Sequence, residues 1–360
     1  MEMGRRELLL GGAAMALAGC AGSAGIGQPH PPKPLGLADF TLVRGNLDAP
    51  EGIASSPDGR LFISNGGGAI GVLEPGGTLR QIGKALAPNG VAVDREGRVI
   101  VANMGLLNKG PGPLQRIDVA TGTVETLVSE LEGRQLVASN GPATARNGDI
   151  YCTHSTWGPL GNIGTTTPSG FIYRVAPDGK ASIVARDLRG ANGLCLDREE
   201  RFVYASLTAE GRIRRWRRQA DGSLTDPQDY GPLLGVVVPD HQAKDIRAMP
   251  ASDRAELGYC DGIAFDQAGN LWVTLPFANR IVAITPDGRK VDIIHDPEGK
   301  MLSSPTNLCW GGADLRDLYV VSRASGMVVK AHTDVAALPL ANWPVSSASR
   351  SRPCPAPCDP

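Results

Sequence analysis

Six segments of the chain share one rhythm: EGIASSPDGRLFI, NGVAVDREGRVIV, NGPATARNGDIYC, NGLCLDREERFVY, DGIAFDQAGNLWV and TNLCWGGADLRDLYV. Their first residues are Glu51, Asn89, Asn140, Asn192, Asp261 and Thr306. Most copies continue as a short apolar run, a polar turn with Gly eight residues after the anchor, and a second apolar run, which is a β-hairpin. Further strand pairs lie between copies, such as SGFIYRVAPDGKASIVA and NRIVAITPDGRKVDIIH, with PDG supplying the turn. Each unit therefore holds about four strands.

No four-stranded unit can bury both of its faces alone, and six such units predict an all-β fold, a six-bladed β-propeller of four-stranded antiparallel blades. A length of 360 residues, beyond what one compact core usually serves, agrees with a repeat architecture. The propeller is expected over 38–335, with ADFTLVRGN at 38–46 adding the outermost strand of the last blade and closing the ring. The long interval after Asn192 contains PLLGVVVPDHQAKDIRAMPASDRAELG, which has no room in a plain blade and is expected as a loop with a short helix over one rim.

The N-terminal MEMGRRELLLGGAAMALAGC reads as an address rather than fold: Arg5 and Arg6 precede an apolar stretch too short to span a bilayer. Residues 1–19 are expected to be a signal peptide, similar to a twin-arginine export signal, with lipoprotein-type cleavage before Cys20. Residues 20–37 then form a flexible tether and 336–360 a disordered Pro/Ser-rich tail. An exported protein, periplasmic or lipid-anchored, follows, with a membrane contact only through a lipid at Cys20. Cys195 and Cys309 lie in non-adjacent units and are expected as small buried hydrophobes rather than a bridge. With 36 basic and 37 acidic residues, there is no footprint for nucleic acid. A small-molecule partner and a monomer are expected.

The first strand of each blade lines the central channel, so the six anchors should form a ring of oxygen-bearing side chains at one mouth. Two carboxylates, Glu51 and Asp261, with amide oxygens beside them, suit a hard divalent cation. The absence of His and Cys argues against zinc. Calcium is the first expectation, with Zn2+, Mn2+ and Mg2+ as alternatives. The competing reading is that the Asn-Gly and Asp-Gly pairs are only turn formers.

At these residues the chain resembles the SMP-30/gluconolactonase/LRE-like family, through PEG at 50–52, SNG at 139–141, ANG at 191–193, YCDG at 259–262 and PTNLCWGGADLRDLYVVS at 305–322. The resemblance implies a calcium-dependent six-bladed propeller hydrolase in which Glu51, Asn140, Asn192 and Asp261 hold the catalytic metal. It departs from the family at Ala138, where sugar-acid lactonases often have Arg, at Gly141, and at Cys152-Thr153-His154 in place of an FTD ending.

The expected reaction is hydrolysis of a lactone or related ester, the ion polarising the carbonyl and Asp261 acting as base or nucleophile. Asn89, Thr306 and His154 are the expected substrate contacts, with His154 a second candidate base and Trp157 a candidate pocket wall. The alternative is a non-catalytic, calcium-stabilised propeller binding a small ligand or protein at the channel mouth. No GxSxG elbow, strand-to-helix GxGxxG or HExxH is present, which argues against serine hydrolases, dinucleotide enzymes and zinc proteases.

Overall fold

In the computed structural model, which describes residues 30–238 and 243–343, six four-stranded antiparallel sheets follow one another as blades. Their innermost strands are Ile53–Ser55, Pro88–Val93, Ser139–Thr144, Ala191–Leu196, Ile263–Phe265 and Pro305–Gly311. The sixth blade takes its outer strand, Thr41–Arg44, from the start of the fold. That strand pairs antiparallel with Met327–His332, so the ring closes through hydrogen bonds between its two ends. Its register begins at Thr41 opposite Lys330.

Blades hold together by burying the faces that one sheet cannot cover. Phe62, Ile70 and Val72 of blade 1 pack with Val91, Val99 and Val101 of blade 2, and Trp272 of blade 5 meets Trp310 of blade 6 edge to face at 5.1 Å. Cys152, Cys195, Cys260 and Cys309 are free and buried in these layers, as small apolar fillers.

Close to the axis the strands approach too tightly for side chains. A Cβ on Gly52 would lie 2.4 Å from the Asn89 carbonyl, and one on Gly90 would lie 2.1 Å from that of Asn140. Gly141, Gly193 and Gly262 face the carbonyls of Asn192, Asp261 and Thr306 in the same way. The Asn-Gly pairs therefore sit inside strands, and the turn-former reading fails. Glycine is needed there because each blade presses its backbone against the next anchor.

The body extends slightly beyond its expected limits. Residues 30–37, part of the expected tether, lie against blade 5: Leu35 N–H donates to Ile293 O, and Asn270 Nδ2 donates to His30 O. At the other end, Ala337 and Leu338 are buried at the channel mouth opposite the anchors. Both segments carry apolar residues that the exposed ends of the sheets cover. The expected signal peptide, Cys20 and residues 344–360 of the expected Pro/Ser-rich tail lie outside the described residues. No described helix is long and apolar enough to cross a membrane.

Candidate metal and active site

All six anchors meet. Glu51, Asn89, Asn140, Asn192, Asp261 and Thr306 line one cavity of roughly 500 Å3 at the channel mouth, a size suited to a small ligand. The strand geometry explains the convergence. In blades 2, 3, 4 and 6 the pairing of the innermost strand slips at the anchor, between Pro88 and Val91, Ser139 and Pro142, Ala191 and Leu194, and Pro305 and Asn307. Such bulges re-aim a side chain at the end of a strand.

Hydroxyls of the preceding blade fix the anchor backbones. Thr153 donates to Asn192 O, Ser206 to Asp261 O at 2.6 Å, Thr274 to Thr306 O at 3.0 Å, and Thr306 to Glu51 O at 2.9 Å. Thr153 thus gives the divergent Cys152-Thr153-His154 triplet a definite structural task.

A second relay fixes which way two amides face. Asn140 Nδ2 donates to Ser155 Oγ at 2.9 Å, and Ser155 donates to Ala191 O at 2.7 Å. Asn192 Nδ2 donates to Thr208 Oγ1 at 3.1 Å, and Thr208 donates to Cys260 O at 2.8 Å. Each hydroxyl spends its proton on a carbonyl and can only accept from the amide, so both NH2 groups are tied down, that of Asn192 also reaching Asp261, and Oδ1 is the atom left for the cavity. Asn89 Oδ1 is buried without any hydrogen-bond partner.

The two carboxylates are electrostatically uncomfortable. Burial raises Asp261 well above the ordinary carboxylate range, and the Glu51 charge raises it further; Arg323 and a hydrogen bond from Asn192 offset part of this. Burial also raises Glu51, against the lowering influence of Arg323 and Arg247. Arg323 makes an ion pair with Glu51. Two crowded carboxylates, two amides turned oxygen-inward and an orphaned amide oxygen form a donor set that fits a hard divalent cation. Among the described residues there is no cluster of three or more His, Cys, Asp and Glu side chains, so amide oxygens would have to supply part of any such donor set.

Of the expected site residues, only His154 is elsewhere. It is fully buried at the end of the second strand of the third blade (Ile150–His154), where Nε2 accepts from the backbone N–H groups of Val137 and Ala138 and the ring stacks on Phe171 at 4.4 Å. Burial, with a smaller contribution from the Arg134 charge, pushes its pKa down to about 3, so it is neutral near pH 7. It has the geometry of a packing residue and does not line the cavity. Trp157 packs with it at 4.5 Å, under the guanidinium of Arg134, and likewise does not line the cavity.

Arg323, Arg247, Ser155 and Thr208 escaped the sequence reading. Arg323 stands one residue past the quoted PTNLCWGGADLRDLYVVS stretch, and Arg247 is on helix α1 (Ala243–Ala248) of the long insertion. A hydroxyl at or just after the end of the second strand, as at Ser155 and Thr208, was the available signal.

The other channel mouth holds a cavity of about 120 Å3 lined by apolar backs of the first strands and by residues 337–343. Its acidic residues are already engaged: Glu200 accepts from Arg146 N–H, and Asp197 accepts from Phe202 N–H. The oxygen-rich mouth is the one equipped for chemistry.

Fold and site together define a propeller with an axial cluster of oxygen donors. The SMP-30/Gluconolactonase/LRE-like region matches residues 50–324, and the chain belongs to that family. A gluconolactonase of Zymomonas mobilis is 24% identical over 255 residues, 70% of this chain and 64% of that protein. The matched spans cover 50% to 64% of the length of three curated relatives. Among solved structures, a gluconolactonase from Xanthomonas campestris superimposes with a TM-score of 0.62 at 22% identity, covering 84% of this chain and 95% of that one. Regucalcin, a calcium-binding protein from Agrobacterium tumefaciens, gives 0.61 at 18% identity, covering 82% and 94%. At these identities the likeness is one of fold.

Proposed function

We propose that the chain is a divalent-metal-dependent hydrolase of a lactone or related ester, with calcium as the ion. The observation that carries this reading is the meeting of Glu51, Asn140, Asn192 and Asp261 on one cavity, with both amides held oxygen-inward by Ser155 and Thr208. Relatives named gluconolactonase support the reaction class, and a calcium-binding regucalcin of the same fold supports the ion.

Glu51 and Asp261 would hold the ion by charge, and Asn140 and Asn192 through Oδ1. When bound, it supplies polarisation of the ester carbonyl and positive charge against the developing oxyanion. Asp261 is the base that takes the proton of the attacking water, or the nucleophile that attacks the carbonyl carbon itself. Asn89, with a free Oδ1, accepts a hydrogen bond from the substrate, and Thr306 stands on the other side of Glu51 in the ring. Arg323 neutralises Glu51 and stiffens that wall. The proposed place of action is the periplasm or a membrane surface, resting on residues 1–20 alone.

Asp261→Asn should remove turnover at saturating calcium while the fold is retained, and full activity in that variant refutes the proposal. Buried Ala138, where sugar-acid lactonases often have Arg, favours the second reading, a calcium-stabilised module that binds a ligand without turning it over. A lactone panel assayed with and without chelator separates the two. Chelator-sensitive hydrolysis supports the enzyme, and tight binding without turnover supports the module.

A further inference from the structure

The upper wall of the cavity differs in chemistry from its floor. Above the oxygen ring stand Met104, Leu107, Leu160, Ile163, Ile246 and Phe277. They come from separate short segments: Gly105–Leu107 of blade 2 with Met104 just before it, Leu160–Gly164 of blade 3, helix α1 of the insertion, and Pro276–Ala278 of blade 5. Leu107 and Leu160 are 53% and 37% exposed, large side chains left to water on a concave surface. Scattered exposed leucines are ordinary, but a collar assembled from four connections around one cavity is not scatter.

Polar groups that could serve a polyhydroxylated ring are mostly occupied. Tyr259 lines the cavity, yet its hydroxyl accepts from Val238 N–H and donates to Val238 O, so it offers only its ring. Thr208 is committed to Asn192 and Cys260. The Cys260 thiol donates to Arg212 O. The remaining polar groups are Asn89 at the floor, Ser304 and the Glu51-paired Arg323 on the blade 6 side, and Arg247 beside the collar, whose guanidinium lies over the Phe277 ring at 5.7 Å.

We infer that the substrate is a lactone or ester bearing an apolar substituent, alkyl or aryl, seated in this collar while its carbonyl reaches the oxygen ring. A sugar lactone would bring hydroxyls against Leu107, Leu160, Ile163 and Phe277 and lose their hydration without replacement hydrogen bonds. This rests on the hydrolase reading, and names the substrate class for the same site.

The test is kcat/KM for a homologous series of γ-lactones with lengthening alkyl chains, alongside gluconolactone, in the presence of calcium. A rise of roughly two- to fourfold per methylene is expected until the chain leaves the collar, mostly through KM. Gluconolactone should be the poorest substrate. Leu107→Ser combined with Leu160→Ser should flatten the slope. Both positions are exposed, and circular dichroism confirms that the variant is folded. Hydrolysis that is chelator-sensitive but indifferent to chain length, or best on gluconolactone, overturns the apolar substrate and leaves the hydrolase reading standing. No hydrolysis of any lactone overturns both.

Discussion

Asn192 donates through Nδ2 to Thr208 Oγ1 at 3.1 Å, and that hydroxyl donates onward to the Cys260 carbonyl at 2.8 Å. The amide is therefore turned by a neighbouring hydroxyl on the cavity wall. Thr208→Val keeps the shape and removes the relay, so the Asn192 amide, left with its hydrogen bond to Asp261, is free to turn Oδ1 away from the cation site. Calcium affinity should fall about 10- to 100-fold, as for other groups that orient a metal ligand. Isothermal titration calorimetry reads this directly, and unchanged affinity would show that Thr208 does not orient the amide.

Both carboxylates sit above their ordinary pKa, Asp261 through burial and the nearby Glu51 charge and Glu51 through burial. A carboxyl with a raised folded pKa binds more protons in the folded than in the unfolded chain, so its contribution to stability declines as pH rises above its unfolded value, 3.8 for Asp261 and 4.5 for Glu51. A bound cation removes that handicap by favouring the charged form. The rise in Tm on adding calcium should consequently be larger at pH 8 than at pH 5. Differential scanning calorimetry at both pH values, with and without chelator, checks the sign.

At the axis, Gly90 faces the Asn140 carbonyl with no room for a methyl group, a Cβ falling 2.1 Å from the oxygen. Gly90→Ala should destabilise the fold by about 3 kcal/mol, because backbone rather than a flexible side chain must move. Chemical denaturation measures it. The same substitution at Gly76, which meets nothing within 4 Å, is the control.

His154 gives a second pH signature. Its folded pKa of about 3 lies below the 6.5 of the free side chain, so the unfolded chain takes up a proton that the fold does not. Stability should fall as pH drops from 6.5 toward 3, by on the order of 4 kcal/mol from this residue. His154→Gln retains an acceptor for Val137 and Ala138 but cannot titrate there. Its stability should depend less steeply on pH over that window, whatever its absolute value, and equal slopes would refute the assignment.

The sequence exposed the ring because propeller symmetry converts a repeated position into a circle, so reading Glu51, Asn89, Asn140, Asn192, Asp261 and Thr306 down the repeats was enough to gather them. Strand Thr41–Arg44 was readable for the same reason, since a ring must close. His154 misled because a lone histidine after a strand carries no sign of which way it faces. Here it points into an aromatic layer with Trp157 and Phe171. Arg247 and Ile246 were hidden by lying in an insertion outside the repeat, where no symmetry fixes position. Ser155 and Thr208 required knowledge of which hydroxyl protons were already committed, and that exists only once blades are packed.

The most direct measurement is a crystal structure with calcium present. An ion is expected at the channel mouth within about 2.3–2.6 Å of oxygens from Glu51, Asn140, Asn192 and Asp261, completed by water. An ion bound at another place, or a channel mouth that stays without one at millimolar calcium while Arg323 keeps its pairing with Glu51, would contradict it.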